Sequence, residues 1–231
     1  MPEISVIIPF YNEPDKHIRE CLDSMHAQRY RDFEVLAVDD GSTNKGAALI
    51  GREYPWVKLH RLAANGGSTA AINYGLAQAK GNFLSIFSMD DFVNYAWLDV
   101  LRAAFDRDLA LAVCGGHVRR IDERGHYIGD VRKPKTHADC VEACQHGMCP
   151  FSAPIFKREI YERLGGQKQE YFPAEDFAYW VEALRYFKGG NIAHVLATFR
   201  KHPGRRSAKF EAEQGAMAKR IRSMAHELRA A

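Results

Sequence analysis

One pattern recurs through the first ninety or so residues and limits the folds open to the chain. Residues 4–9, 33–38, 57–62 and 83–87 are short stretches rich in apolar and β-branched side chains. The first, Ile-Ser-Val-Ile-Ile-Pro, is almost continuously apolar, as expected of a strand buried on both faces of a parallel sheet. Between these stretches lie helical patterns at 14–27, 43–54 and 67–79. Ile18, Cys21, Leu22 and Met25 share one face of the first, and Ala70, Ala71, Tyr74 and Leu76 are available for packing on the third. Strand–helix alternation with short connections implies right-handed crossovers and a mainly parallel sheet.

In such sheets ligands bind beyond the carboxyl ends of the strands. The first strand ends in Pro9-Phe10-Tyr11-Asn12, the second in Asp39-Asp40-Gly41-Ser42, and the fourth in Ser88-Met89-Asp90-Asp91. All three polar clusters are therefore expected on one rim.

The second half is less regular. Residues 97–105 read as a helix and 111–117 as a strand. Residues 118–147 suggest a hairpin and then a mobile loop. Helices are expected at 157–164 and 174–187, a strand at 192–200, and a basic amphipathic helix from about residue 207. No repeat or linker divides the chain, so its 231 residues are expected to form one α/β domain. Residues 1–117 would make a nucleotide-binding half, 118–206 an acceptor-binding half, and 207–231 the terminal helix.

A net charge of +3 is too slight for a nucleic-acid binder, though it tolerates anionic ligands such as nucleotide phosphates. No stretch approaches the ~20 apolar residues of a membrane span, and the opening residues carry no basic leader. The five cysteines include no Cys-x-x-Cys pair, and free thiols in the cytoplasm are the simplest expectation. His137, Cys140, Cys144, His146 and Cys149 match no closed zinc spacing.

Four clusters bear on chemistry. Adjacent carboxylates at Asp90-Asp91 are costly at a strand end unless positive charge accompanies them. A hard divalent cation that also takes phosphate oxygens is a natural partner, and a helix-capping turn is the bland alternative. Asp39-Asp40 either caps a turn or offers a carboxylate to a base or ribose. Glu175-Asp176 sits at a helix start, where acids are favoured for dipole reasons alone. It would also suit a general base acting on an acceptor hydroxyl. His202 follows a strand end and is either a structural histidine or a further metal ligand.

Taken together, Ser-Val-Ile-Ile-Pro-Phe-Tyr-Asn-Glu (5–13), Val-Asp-Asp-Gly-Ser-Thr (38–43), Asn-Gly-Gly-Ser-Thr-Ala-Ala-Ile-Asn-Tyr-Gly (65–75), Met-Asp-Asp (89–91) and Ala-Glu-Asp (174–176) resemble the family 2 glycosyltransferases. The resemblance implies a GT-A fold: a Rossmann-like, mainly parallel sheet flanked by helices, with a small antiparallel part in the second half. It implies an inverting transferase of hexosyltransferase type that moves a sugar from a nucleotide-diphosphate sugar to a glycan or lipid-linked acceptor. UDP is favoured as the nucleotide through Asp40. Pro9, Phe10, Tyr11, Asn12, Glu13, Asp39, Asp40, Gly67 and Asp90 would bind the nucleotide, with Tyr11 stacking on the base. Asp91, with His202, would hold Mn2+ or Mg2+, and Asp176 would be the catalytic base.

The chain also departs from the family pattern. Ser88 stands where many members have an outer Asp, and Ile72 where many have Arg. These two positions keep open a non-catalytic nucleotide-sugar binder. A sugar nucleotidyltransferase would need a Gly-rich basic loop where Tyr11-Asn12-Glu13-Pro14 stands. The Gln-x-x-Arg-Trp signature of processive synthases is absent, which favours single additions. The terminal segment around Lys219, Arg220, Ile221, Arg222, Met224 and Leu228 has a basic and an apolar side. It would meet an anionic membrane surface or, as the plainer expectation, pack on the domain or a second subunit.

Overall fold

The computed structural model describes residues 1–228, apart from the side chains of residues 206 and 207. Residues 229–231, the end of the expected terminal helix, lie outside the described part. The first half alternates as the sequence requires: β1 (Ile4–Phe10), α1 (Asp15–His26), β2 (Phe33–Asp39), α2 (Gly46–Glu53), β3 (Lys58–Arg61), α3 (Ser68–Gln78) and β4 (Phe83–Ile86). There follow β5 (Phe92–Val93), α4 (Trp97–Arg107), β6 (Leu111–Ile121), β7 (Tyr127–Val131), α5 (His137–Gln145), β8 (Ile155–Lys157) and α6 (Arg158–Leu164). The chain ends with α7 (Glu175–Ala183), β9 (Lys188–Arg200), α8 (Arg206–Lys209) and α9 (Glu211–Ala225).

Among the described residues the strands form one nine-stranded sheet in the order β3-β2-β1-β4-β8-β6-β9-β5, with β7 beside β6. β3, β2, β1 and β4 are parallel, and β6 and β9 are parallel to each other. The antiparallel pairs involve β8, which sits between β4 and β6, and the short strands β5 and β7. The expected small antiparallel part is therefore threaded through the second half of the sheet.

Two apolar clusters cover the two faces. Ile4, Val6 and Ile8 of β1 pack with Ile18, Leu22 and Met25 of α1 and with Trp97, Leu98 and Leu101 of α4. Ile7 points the other way, to Ile72 and Leu76 of α3 and the cluster containing Phe177, Trp180 and Ile221. The period-two alternation of a strand thus serves two cores at once. Gly75 sets the spacing on the second face: a Cβ there would lie 2.4 Å from Ile7 Cγ2.

Some expectations need correction. The face of α3 that packs carries Thr69, Ala71, Ile72, Gly75 and Leu76, while Ala70 and Tyr74 turn outward. α2 begins at Gly46 rather than residue 43, because Ser42, Thr43 and Asn44 are tied elsewhere. The stretch expected as a mobile loop contains α5, closed by a capping box: the Thr136 hydroxyl accepts from Asp139 N at 3.2 Å, and Asp139 accepts from Thr136 N at 3.0 Å. The terminal helix buries Ile221 and Ala225 against α5 and α7, so its apolar side is spent on the domain. No described helix is long and apolar enough to cross a membrane.

Candidate functional site

The parallel strands deliver their carboxyl ends to one cleft. Pro9, Phe10 and Tyr11 arrive from β1, Asp40 from β2, and Ser88, Asp90 and Asp91 from the exit of β4. Asp176 comes from the start of α7 and His202 from beyond β9. The cleft holds about 460 Å³, within the ~300–1,000 Å³ usual for a small-molecule pocket.

Three of the residues expected at the nucleotide do not line this cleft: Asn12, Asp39 and Gly67. They build its floor instead. Asn12 sits at φ 51°, a left-handed conformation that asparagine tolerates. Its Oδ1 accepts from Thr43 N at 2.8 Å and Asn44 N at 3.1 Å, while its own N–H donates to Ser42 Oγ at 2.8 Å. The exit of β1 is thereby stapled to the exit of β2, which delays α2. Asp39 is sealed from solvent: Oδ1 accepts from Ser42 N at 2.8 Å, and Arg61 Nε lies 3.2 Å from Oδ2 as an ion pair without hydrogen-bond alignment. Gly67, at φ 85°, starts α3 and donates its N–H to Asp40.

Asp40 faces the cleft with both oxygens already engaged, Oδ1 by Gly66 N at 2.8 Å and Oδ2 by Gly67 N at 2.9 Å. Burial pushes its carboxyl above the ordinary range, and Asp39 adds to that push against the two amides. Each oxygen keeps a second lone pair for a ligand. Tyr11 is 46% exposed, an aromatic face open at the cleft. Glu13 pairs with His17, Oε1 to Nδ1 at 2.6 Å, and the His17 ring stands 5.6 Å from that of His202.

The two members of the acidic pair differ in exposure and in partners. Asp91 is 2% exposed, and its Oδ1 accepts from Arg200 N at 2.8 Å. Asp90 is the more accessible, with Oδ2 3.2 Å from His202 Nε2 and 3.7 Å from Arg205 Nε. His202 therefore meets Asp90 rather than Asp91. Burial and the neighbouring Asp90 push the Asp91 carboxyl well above its ordinary value, against Arg205 and Arg200. Two carboxylates in this setting call for more positive charge than the arginines supply. Among the described residues no three His, Cys, Asp or Glu side chains converge to cage a cation by themselves. The donor set fits a hard cation that completes its shell with phosphate oxygens and water.

Asp176 occupies the first turn of α7, with Oδ1 accepting from Phe177 N at 2.8 Å. Beside it, Glu175 is 1% exposed and accepts from Thr69 Oγ1 at 2.6 Å. Ile72 lines the cleft at the position where family members often carry Arg.

Lys133 and Cys149 also line the cleft, from the half expected to bind the acceptor, whereas Gln167, Trp180, Arg205 and Gln214 line it without having been singled out in the sequence. Arg205 had a signal in the basic run after β9. Gln167 and Gln214 had none, because glutamines in irregular segments carry no spacing rule.

The family model described as Glycosyl transferase family 2 matches residues 5–165. An uncharacterized glycosyltransferase of Haemophilus influenzae is 25% identical over 96% of this chain and 72% of its own length. The O-antigen biosynthesis protein RfbC of Myxococcus xanthus is 27% identical over 75% of this chain, a match that spans 14% of RfbC. Among solved structures, S. aureus TarS 1-349 in complex with UDP-GlcNAc superposes with a TM-score of 0.79 at 20% identity, over 99% of this chain and 68% of that one. A Pyrobaculum calidifontis mannosyltransferase in complex with GDP-Man and Mn2+ superposes with a TM-score of 0.68 at 20% identity, over 96% of this chain and 63% of that one. The chain thus spans about two thirds of these structures. A polar rim at the carboxyl ends of a parallel sheet, a GT-A architecture and a family match over most of its length lead to one conclusion: the chain belongs to glycosyl transferase family 2.

Proposed function

We propose that the chain transfers one sugar at a time from a UDP-sugar to an acceptor hydroxyl with inversion, in the synthesis of a glycan or polysaccharide. One observation carries this reading: Asp40, Asp90, Asp91 and Asp176, far apart in sequence, face a single cleft.

The donor's base lies against Tyr11, with Asp40 accepting from its edge and Pro9 and Phe10 beneath. Asp40 is pre-positioned for this by Gly66 and Gly67. Asp91, with Asp90 and His202, would hold Mn2+ or Mg2+, which when bound stabilises negative charge on the leaving diphosphate. Arg205, close to Asp90, adds fixed positive charge at the same end. Asp176 takes the proton from the acceptor hydroxyl as the hydroxyl oxygen bonds to the anomeric carbon. The bond from that carbon to the diphosphate breaks on the opposite face, and configuration inverts. A base and a leaving-group stabiliser on opposite sides follow the logic of inverting glycosidases. The complexes of TarS with UDP-GlcNAc and of the mannosyltransferase with GDP-Man and Mn2+ support a nucleotide-sugar donor and a divalent metal.

Asp176→Asn tests the role of the base. Transfer is expected to fall by a factor of at least about a thousand, as general-base loss allows, while calorimetric UDP affinity stays within a factor of two or three. Equal loss of binding and transfer would reduce Asp176 to a helix-start residue.

A further inference from the structure

Among the described residues, seven buried side-chain nitrogen or oxygen atoms lack a hydrogen-bond partner, and one of the seven belongs to a residue that lines the cleft: Oε1 of Gln167. Gln167 is 5% exposed. A buried carbonyl oxygen without a donor carries its desolvation cost uncompensated, and such a group in a folded protein calls for an explanation.

The residue is not loosely placed. Its backbone N–H donates to Asn73 Oδ1 at 2.9 Å, and its backbone carbonyl accepts from Asn73 Nδ2 at 2.8 Å. The preceding Gly166 presses on the same amide: a Cβ there would lie 2.1 Å from Asn73 Oδ1, so a larger residue would force the segment away. This anchoring passes through the backbone of residue 167 and leaves its side-chain carbonyl unspent. A rigidly mounted acceptor, withheld from protein partners and set in a cleft wall, is built to receive an O–H or N–H from a ligand.

The place of Gln167 indicates which part of the ligand that is. Asn73 follows Ile72 on α3, and Ser68, Ile72, Gln167 and Asp176 all line the cleft. The bond from Thr69 to Glu175 joins the same helix to the start of α7, beside Asp176. In the transferase reading the base lies at Tyr11 and Asp40, and the diphosphate lies near Asp90, Asp91 and Arg205. Asp176 acts at the anomeric carbon. The group left to face the α3–α7 wall is the sugar being transferred.

We propose that Gln167 selects the donor sugar: its side-chain carbonyl accepts a hydrogen bond from one ring substituent of the sugar, a hydroxyl or an acetamido N–H. The inference rests on the transferase reading above and adds to it the residue that sets donor preference.

The test is calorimetric and needs no acceptor. Wild-type protein with Mn2+ is first given UDP alone; without binding, the transferase reading itself falls. UDP-glucose, UDP-galactose and UDP-N-acetylglucosamine are then compared. The tightest of them is set against its analogues lacking, in turn, the substituent at C2, C3, C4 and C6. One analogue is expected to bind wild type at least about tenfold more weakly than its parent, because a site that pairs with a polar substituent rejects the analogue lacking it. In Gln167→Met, similar in length but without the amide, parent and analogue are expected to bind within about twofold of each other, while UDP affinity stays within about twofold of wild type. Gln167→Leu gives the same comparison if the methionine variant does not fold. Because the readout is a ratio between two donors, a general loss of affinity does not imitate it. The absence of a tenfold penalty in wild type, or a penalty that persists in the variants, overturns the proposal. An equal loss of UDP and UDP-sugar affinity in the variants also overturns it and leaves Gln167 a packing residue.

Discussion

Thr69 and Glu175 stand 106 positions apart, yet their side chains meet at 2.6 Å in the core, 3% and 1% exposed. Thr69 lies at the start of α3, just after the glycines that Asp40 holds. Glu175 opens α7 beside Asp176. The contact thus mechanically links the carboxylate proposed to read the base to the carboxylate proposed to take the proton. Thr69→Val keeps the shape and removes the hydroxyl, leaving a buried carboxylate one donor short. A loss of about 1–3 kcal/mol is expected in urea unfolding, with kcat falling more than donor affinity, and Thr69→Ser restoring both. Unchanged stability and kcat in the valine variant would show the link to be idle. From sequence, Glu175 is only half of an acidic pair at a helix start. Its partner is invisible there, because a threonine inside an α3 pattern advertises helix packing rather than a hydrogen bond across the domain.

At the level of elements, one buried acid knits the parallel edge together. Glu34 of β2 accepts from Ser5 Oγ of β1 at 2.6 Å and from Lys80 N, before β4, at 2.9 Å. Its Oε2 lies 2.5 Å from Lys58 Nζ of β3. Burial works against its ionisation, but Lys58, Ser5 and the Lys80 amide outweigh that and hold the carboxyl below its ordinary 4.5. A depressed folded value means that the stabilisation is complete above pH 4.5 and is lost as the pH falls through the folded value. Glu34→Gln should therefore be less stable than wild type at pH 7, and the gap should narrow steadily below about pH 4.5. A gap that is constant with pH in thermal unfolding would show that Glu34's charge contributes nothing. The strands that Glu34 joins were legible in the sequence because buried parallel strands write themselves as apolar runs. β5 and β8, of two and three residues, are too short to show a period. α5 looked like a loop because its composition is polar, although the Thr136–Asp139 capping box was present in the sequence as a start signal.

For the whole molecule, the parallel sheet does the organising: strands with a common direction expose their acidic ends on one rim, so the site was readable in outline from strand ends alone. The sequence did not show which acids are free to act. Asn12 and Asp39 were spent on joining loops, and Asp91 was sunk beneath Asp90, because those outcomes depend on the spacing between neighbouring strand exits. The sunken pair yields a prediction about the complete protein. No three described side chains converge to cage a cation, so a cation held at this pair would take phosphate oxygens and water into its shell. Metal and nucleotide should then bind cooperatively, each raising the other's affinity by the same factor. In thermal unfolding, Mn2+ alone should move Tm little and UDP alone modestly. The two together, at about a hundred times the coupled dissociation constant, add roughly 2.7 kcal/mol, or about 5–11 °C for a chain of this size. Chelator should return the UDP shift to its metal-free value. Strictly additive shifts, or a UDP shift indifferent to chelator, would mean that the Asp90–Asp91 pair holds no metal shared with the diphosphate. The positive charge at the leaving group would then come from Arg205 and its neighbours alone.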